Sequence, residues 1–252
     1  MSAMRWREAG GVRWLAAELP GARAAFSARA GGVSEPPFES LNLGLMTGDE
    51  RERVLANRRR LAAALGLDPE RVLIGRQVHG AELGQHRAPQ HPAPFVEPGD
   101  TPFEVDGHVT AVPRLACLVL VADCLPVALS GPGGVAMLHC GWRGLAAGIV
   151  ERAAAAVGAT DAAIGPGIGP CCYEVGDEVL TAFAGLGEGV ATDGALDLPE
   201  VASRLLAMAG VERVATSGLC TACEADLFFS HRRDAGHTGR QAGLVWRESR
   251  ES

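Results

Sequence analysis

The sequence predicts a fold that mixes α and β, on three observations. Runs rich in leucine and valine, such as Leu115 to Val121, have the length and composition of buried strands. Asp49 to Leu65 repeats apolar residues at helical spacing, and glycine or proline breakers separate pieces of both kinds along the chain. The 252 residues are 47% hydrophobic and 21% charged, which is enough apolar material for a sizeable core. Without obvious internal repeats or low-complexity blocks, residues 1–252 read as a single domain.

Taken in order, Val54, Leu61 and Leu65 predict a helix over Asp49 to Leu65, with Thr47 or Asp49 capping its start and Gly66 stopping it. Arg58 to Arg60 are expected on its solvated face. Val72 to Val78 reads as a short strand ending at His79. Between Gly84 and Glu104, Pro89, Pro92, Pro94, Pro98 and Pro102 forbid regular structure and predict a long surface loop bordering a site. Its length and histidines suggest closure over a ligand. Leu115 to Val121 predicts a strand buried on both faces, broken at Asp123-Cys124 before Pro126 to Leu129 resumes, and Val135 to Leu138 a third strand ending at His139. A helix from Gly144 to Val157 follows the tight turn Gly141-Trp142-Arg143-Gly144, which puts Arg143 and free backbone amides at a helix N-terminus. Ala162 to Ile164 leads into the stiff loop Gly165 to Pro170, and a helix follows from Asp177. Val214, Phe228-Phe229 and Leu244 to Trp246 mark later strands.

Composition removes several classes of function. Lys+Arg 23 against Asp+Glu 30 leaves a net charge of −7, which argues against binding to nucleic acid or an anionic membrane surface. All the basic residues are arginine, so Schiff-base chemistry, pyridoxal phosphate and a Walker loop are excluded. The longest apolar run, Leu115 to Ala122, is too short to cross a bilayer, and Met1 to Gly10 lacks the apolar segment of a secretory signal. A cytoplasmic location is expected, in which seven cysteines serve as thiols or metal ligands rather than as a disulfide framework.

Three residues at predicted strand ends carry metal-binding chemistry: His79, Cys124 and His139. Two imidazoles and a thiolate suit a borderline-soft ion such as zinc, and three protein ligands leave a fourth position open, as in catalytic zinc sites. Spacing alone leaves a plainer account open, in which two half-buried imidazoles and a small core cysteine are unrelated. It also leaves open a metal-free pair in which His139 activates Cys124 as the nucleophile of a hydrolase. Cys220-Thr221-Ala222-Cys223 has zinc-knuckle spacing, and Cys171-Cys172 could complete a four-sulfur site. Adjacent side chains tend to diverge, so plain buried thiols are expected there. Gly165 to Gly169 fits no nucleotide-binding pattern. Arg29, Arg143 and Arg232-Arg233 stand beside glycines, where a guanidinium and free amides suit a phosphate or carboxylate, or an ordinary surface ion pair. Asp106 and Asp123 fit either a functional role or bonds to turn amides.

Taken together, Ser27 to Ser34, Ser40-Leu41-Asn42-Leu43-Gly44, Gln77-Val78-His79-Gly80, Ala122-Asp123-Cys124-Leu125-Pro126-Val127, His139-Cys140-Gly141-Trp142-Arg143-Gly144, Gly165 to Pro170 and Phe228 to Arg240 resemble one family. It is the multicopper polyphenol oxidase, or laccase-domain, family, whose members are also described as purine nucleoside phosphorylases of the YfiH type and as peptidoglycan editing factors. The likeness runs in order from about Phe26 to Trp246. It implies a single α+β domain of two packed mixed β-sheets flanked by helices in α/β/β/α layers. It also implies a zinc ion on His79, Cys124 and His139. Cys140 departs from the family's usual alanine and would set a second thiol beside the metal. The cysteine pairs 171/172 and 220/223 are not ligands in the family.

The implied activity is a zinc-dependent purine nucleoside phosphorylase acting on adenosine, inosine and methylthioadenosine, with adenosine deaminase activity besides. Arg29, Arg143 and Gln77 would bind phosphate and substrate, and Cys124, His139, Asp123 and Arg29 would carry the chemistry. A peptidoglycan-precursor amidase using Cys124 and His139, or the zinc, is the alternative. A copper-dependent polyphenol oxidase ranks below both, because seven histidines are few for a trinuclear cluster, although His-Cys-His also suits copper. The expected partners are a small nucleoside and phosphate, with no nucleic acid or membrane, and the expected state is a monomer.

Overall fold

The computed structural model describes residues 4–99 and 103–249. In chain order its strands are β1 (Arg5–Ala9), β2 (Val12–Leu19), β3 (Ala22–Ser27), β4 (Val72–Leu73), β5 (Leu83–His86), β6 (Gly107–Thr110), β7 (Ala116–Val121), β8 (Leu125–Gly131), β9 (Gly134–Cys140), β10 (Asp161–Ile164), β11 (Ala191–Thr192), β12 (Ala195–Leu196), β13 (Arg213–Thr216) and β14 (Gln241–Arg247). The helices are α1 (Arg51–Leu65), α2 (Trp142–Ala146), α3 (Ile149–Val157), α4 (Asp177–Phe183) and α5 (Leu198–Met208). One six-stranded sheet runs β1-β2-β3-β14-β7-β4 and the other β13-β10-β8-β9-β6-β5. Both are mixed: β4 lies parallel to β7, β5 to β6 and β10 to β13, while the other neighbours within the two sheets pair antiparallel. The expected α+β architecture of two packed sheets is what is found.

Strand periodicity explains the layers. In β7, Cys117, Val119 and Val121 point between the sheets with Phe26, Val135, Met137 and Val245, while the alternate Ala116 and Leu118 meet Leu61 and Ala62 of α1. In β8, Ala128 joins the inter-sheet core, while Val127 and Leu129 face outward under Ile149, Val150 and Ala153 of α3 and Val201 and Leu205 of α5. Strands buried on both faces therefore read as unbroken apolar runs, as Leu115 to Val121 does.

Several expectations are corrected by tertiary contacts. The first helix begins at Arg51 after Glu50, with no side-chain cap, while Gly66 ends it in the left-handed conformation. Arg58 is not on a solvated face. It is 3% exposed, stacks 5.3 Å from the Phe95 ring centroid, and donates to the carbonyls of Leu43 and Phe95 at 3.0 Å. The strand expected over Val72 to Val78 stops at Leu73. The stretch from Gly84 to Glu104 is not a free surface loop either: its start belongs to β5, and Ala93 and Phe95 are buried against the α1 layer, where Arg58 holds their segment. Residues 100–102 of that stretch, Pro102 among them, lie outside the described residues, as do Met1 to Ala3. The helix expected over Gly144 to Val157 is two helices, divided at Gly148, whose φ of 82° a continuous helix cannot contain. Phe228 and Phe229 are fully buried but lie outside any strand.

Candidate active site

The register of the β8–β9 hairpin opposes Pro126 to His139 and Leu125 to Cys140, so Cys124 and Gly141 continue past the paired ends on facing strands. A Cβ placed on Gly141 would stand 2.9 Å from the Cys124 sulfur and 3.4 Å from a carbon of the His79 ring. The glycine of the His-Cys-Gly-Trp motif is thus required by close approach, because any side chain would displace the thiol. His79 arrives from the loop after β4 with a φ of 61°, unusual for a residue other than glycine.

Asp106 accounts for that conformation. Buried at the start of β6, it accepts the backbone N–H groups of Val78, His79 and Gly80 at 3.2, 2.9 and 2.7 Å. The same carboxylate accepts Nδ1–H of His139 at 2.8 Å, and its own carbonyl accepts the His139 backbone N–H. One carboxylate therefore fixes the His79 loop and the His139 tautomer, leaving Nε2 of His139 as the free lone pair. Among the described residues, ligand atoms of His79, Cys124 and His139 all lie within 4.8 Å of one another, and the two imidazoles meet edge to face with centroids 4.7 Å apart. This donor set, with a carboxylate oriented behind one imidazole, is able to hold a metal ion.

Electrostatics in the cluster are cooperative. Burial pushes the Cys124 thiol up, but the His139 and His79 imidazoles outweigh it and draw the thiol below its ordinary value. Burial likewise disfavours the His139 imidazolium, yet Cys124 and Asp106 raise it overall. Cys140, which would have set a second thiol at the metal, instead packs in the helix-side core, and burial followed by the charge of Cys124 keeps it protonated.

The other residues singled out from sequence divide. Gln77 donates to the Leu120 carbonyl at 2.7 Å and accepts its N–H at 2.8 Å, so both ends of its amide bind the β7 backbone and anchor the loop that carries His79. Asp123, at a φ of 95°, accepts from the Thr221 hydroxyl and the Arg232 N–H, both at 2.7 Å; its carboxylate ties the loop after β13 to the Cys124 turn. Arg29 donates to the carbonyls of Glu39 and Ala225 and stacks 4.7 Å from the Phe229 ring centroid. Arg143 lies in the first turn of α2, its guanidinium 4.4 Å from the Trp142 ring centroid.

Sequence reasoning missed Tyr173 and Arg240. Burial, and then the charge of Cys124, push the Tyr173 phenol up to about 12 against the opposing pull of Arg232 and Arg143. Arg232 stacks on Tyr173 at 5.2 Å, and Arg240 feels both Asp123 and Cys124. Tyr173 is the only tyrosine in the chain, a signal that composition alone carried.

A family model described as multi-copper polyphenol oxidoreductase laccase matches residues 23–248. The chain belongs to that family. Purine nucleoside phosphorylase SCO2081 of Streptomyces coelicolor is 43% identical over 244 residues, covering 90% of this chain and 96% of the relative. Purine nucleoside phosphorylase YlmD of Geobacillus stearothermophilus is 38% identical, with 93% and 94% covered. Among solved structures, YfiH of Bacillus licheniformis superposes with a TM-score of 0.85 at 33% identity, covering 96% of this chain and 99% of that one. The YlmD structure gives 0.83 at 36%, with 96% and 98% covered. Relatives named purine nucleoside phosphorylases support an enzyme, and no helix among the described residues is long and apolar enough to cross a membrane.

Proposed function

We propose that the protein is a zinc-dependent purine nucleoside phosphorylase that converts adenosine, inosine or methylthioadenosine and phosphate into the free base and the ribose 1-phosphate, with adenosine deaminase activity at the same site. The observation that carries this reading is the convergence of His79, Cys124 and His139 with Asp106 behind them, on a family background of proteins named for phosphorolysis. When bound there, zinc supplies Lewis acidity that polarises an oxygen of substrate or phosphate.

The chain's own groups do the remaining work. Arg143, whose charge reaches Tyr173, binds the phosphate dianion, while Arg232 is held on the Cys172 and Glu174 carbonyls. Arg29, engaged with two carbonyls, serves as a tie between loops. Phosphate oxygen attacks the anomeric carbon, the glycosidic C–N bond breaks, and the purine leaves with the electron pair and takes up a proton. The Tyr173 hydroxyl, protonated at neutral pH, is the hydrogen-bond donor closest in character to that need. Asp123 has both carboxylate oxygens engaged and acts as a positioning residue, in place of the proton-transfer role expected of it. Nucleoside and phosphate are the partners this reading calls for, with a cytoplasmic monomer.

A second reading has one observation in its favour. Cys124, His139 and Asp106 form a thiol–imidazole–carboxylate chain, the order of a cysteine hydrolase, which suits a peptidoglycan-precursor amidase. A polyphenol oxidase has less support, since the described residues offer one mixed nitrogen and sulfur cluster and one all-sulfur cluster, and no imidazole-rich trinuclear set. Chromatography of adenosine and inosine incubated with zinc-loaded, copper-free protein tests the choice. Base released only with phosphate supports phosphorolysis, and inosine formed from adenosine with or without phosphate supports deamination. No turnover of either nucleoside overturns both and favours the amidase.

A further inference from the structure

Cys171, Cys172, Cys220 and Cys223 were expected to be separate buried thiols. Instead their four sulfurs lie within 4.8 Å of one another, with Cys171 and Cys223 at the surface and Cys172 and Cys220 half-buried. The adjacent pair does not diverge, because Cys171-Cys172 sits in a turn closed by the Cys172 N–H on the Gly169 carbonyl; both sulfurs stand 3.5 Å from that of Cys223. Four thiolates at a zinc–sulfur distance of about 2.3 Å in a tetrahedron place the sulfurs about 3.8 Å apart. The observed spacing needs only small rotations to reach that arrangement. A disulfide needs about 2.05 Å, so no pair here is joined.

The surroundings also suit an anionic centre. The Gly169 N–H points to the Cys220 sulfur at 3.3 Å. Arg232 donates to the Cys172 and Glu174 carbonyls and Arg233 to that of Thr221, with Arg233 also paired to both carboxylate oxygens of Asp234. From these contacts we infer that the four cysteines form a second, structural metal site that binds zinc as a tetrathiolate. Binding releases the four thiol protons and leaves a centre of net charge about −2. All four positions on the ion are filled by protein, so this site closes where the His79–Cys124–His139 site stays open. Its effect is mechanical. The two loops it joins carry Tyr173 on one side and Thr221, the partner of Asp123, on the other. The site is independent of the catalytic reading above.

The test is metal analysis of reduced, zinc-replete protein and its variants. Wild type is expected to hold about two zinc ions per chain and Cys124→Ala about one, with Cys124→Ala/Cys171→Ser/Cys223→Ser holding none. Zinc content in Cys124→Ala that is absent, or unchanged by the two serines, overturns the site. In case a variant fails to fold, wild-type protein is alkylated with iodoacetamide and mapped by mass spectrometry. Zinc is expected to protect Cys223, and chelator to expose it. Equal labelling of this exposed thiol with and without zinc contradicts the inference.

Discussion

The two clusters of potential ligands in this molecule are built in opposite ways. Cys124 and His139 stand at the paired ends of β8 and β9 and His79 on the loop after β4, held by a buried carboxylate that also bonds three backbone amides. The four cysteines stand on two surface loops, held by one amide and by each other. The first is a preorganised site of three donors; the second offers four. Position in the fold follows use: chemistry needs donors fixed before the metal arrives, whereas a structural ion can itself fix the loops that bind it.

The largest effect expected is at the first cluster. Cys124→Ala should reduce phosphorolysis to background in a steady-state assay while the far-ultraviolet circular dichroism stays native; unchanged turnover would remove Cys124 from the chemistry. Asp106→Asn should cost about 10- to 100-fold in metal affinity or turnover, measured by competitive chelation, because its amide cannot accept from both His139 and the three N–H groups. Gly141→Ala should lower stability by about 1–3 kcal/mol in urea unfolding, since its Cβ meets the Cys124 sulfur.

A smaller difference separates Cys124 from Cys171 and Cys172 by pH. In metal-free protein the imidazoles draw the Cys124 thiol down, so its anion persists as pH falls below the ordinary thiol range. Burial and the neighbouring sulfurs raise Cys171, and the Cys223 contact with burial raises Cys172 to about 11, so both stay neutral until the pH rises past that range. Iodoacetamide near neutral pH should therefore label Cys124 faster than the more exposed Cys171, and equal rates would show the imidazoles to be uncoupled from it. The smallest effect belongs to Cys223→Ser, which should lower the melting temperature while leaving phosphorolysis measurable.

Strands β7 to β10 and β14, and the residues of the first cluster, were legible in sequence for a physical reason, whereas β1, β2, β3, β5 and β6 were not read from it. A buried strand must be apolar throughout, so Leu115 to Val121 announces itself, and Cys124 and His139 fall where such runs break, whereas His79 lies on the loop after β4. Long-range pairing was not legible. Arg58 sits at a solvated-looking helical position yet is buried because Phe95, far along the chain, folds onto it. The convergence of the two cysteine pairs is of the same kind, since their loops meet through long-range contacts such as the isolated bridge between Gly167 and Cys220 and the Gly169 N–H on the Cys220 sulfur.

The most direct measurement loads the protein with cobalt in place of zinc and follows its visible spectrum as inosine and phosphate are added, with hypoxanthine release measured on the same sample. Hypoxanthine should form only when phosphate is present, and substrate should alter only those bands that Cys124→Ala lacks. No substrate response in the bands that Cys124→Ala lacks, or hypoxanthine that never forms, would contradict an open catalytic site at His79, Cys124 and His139.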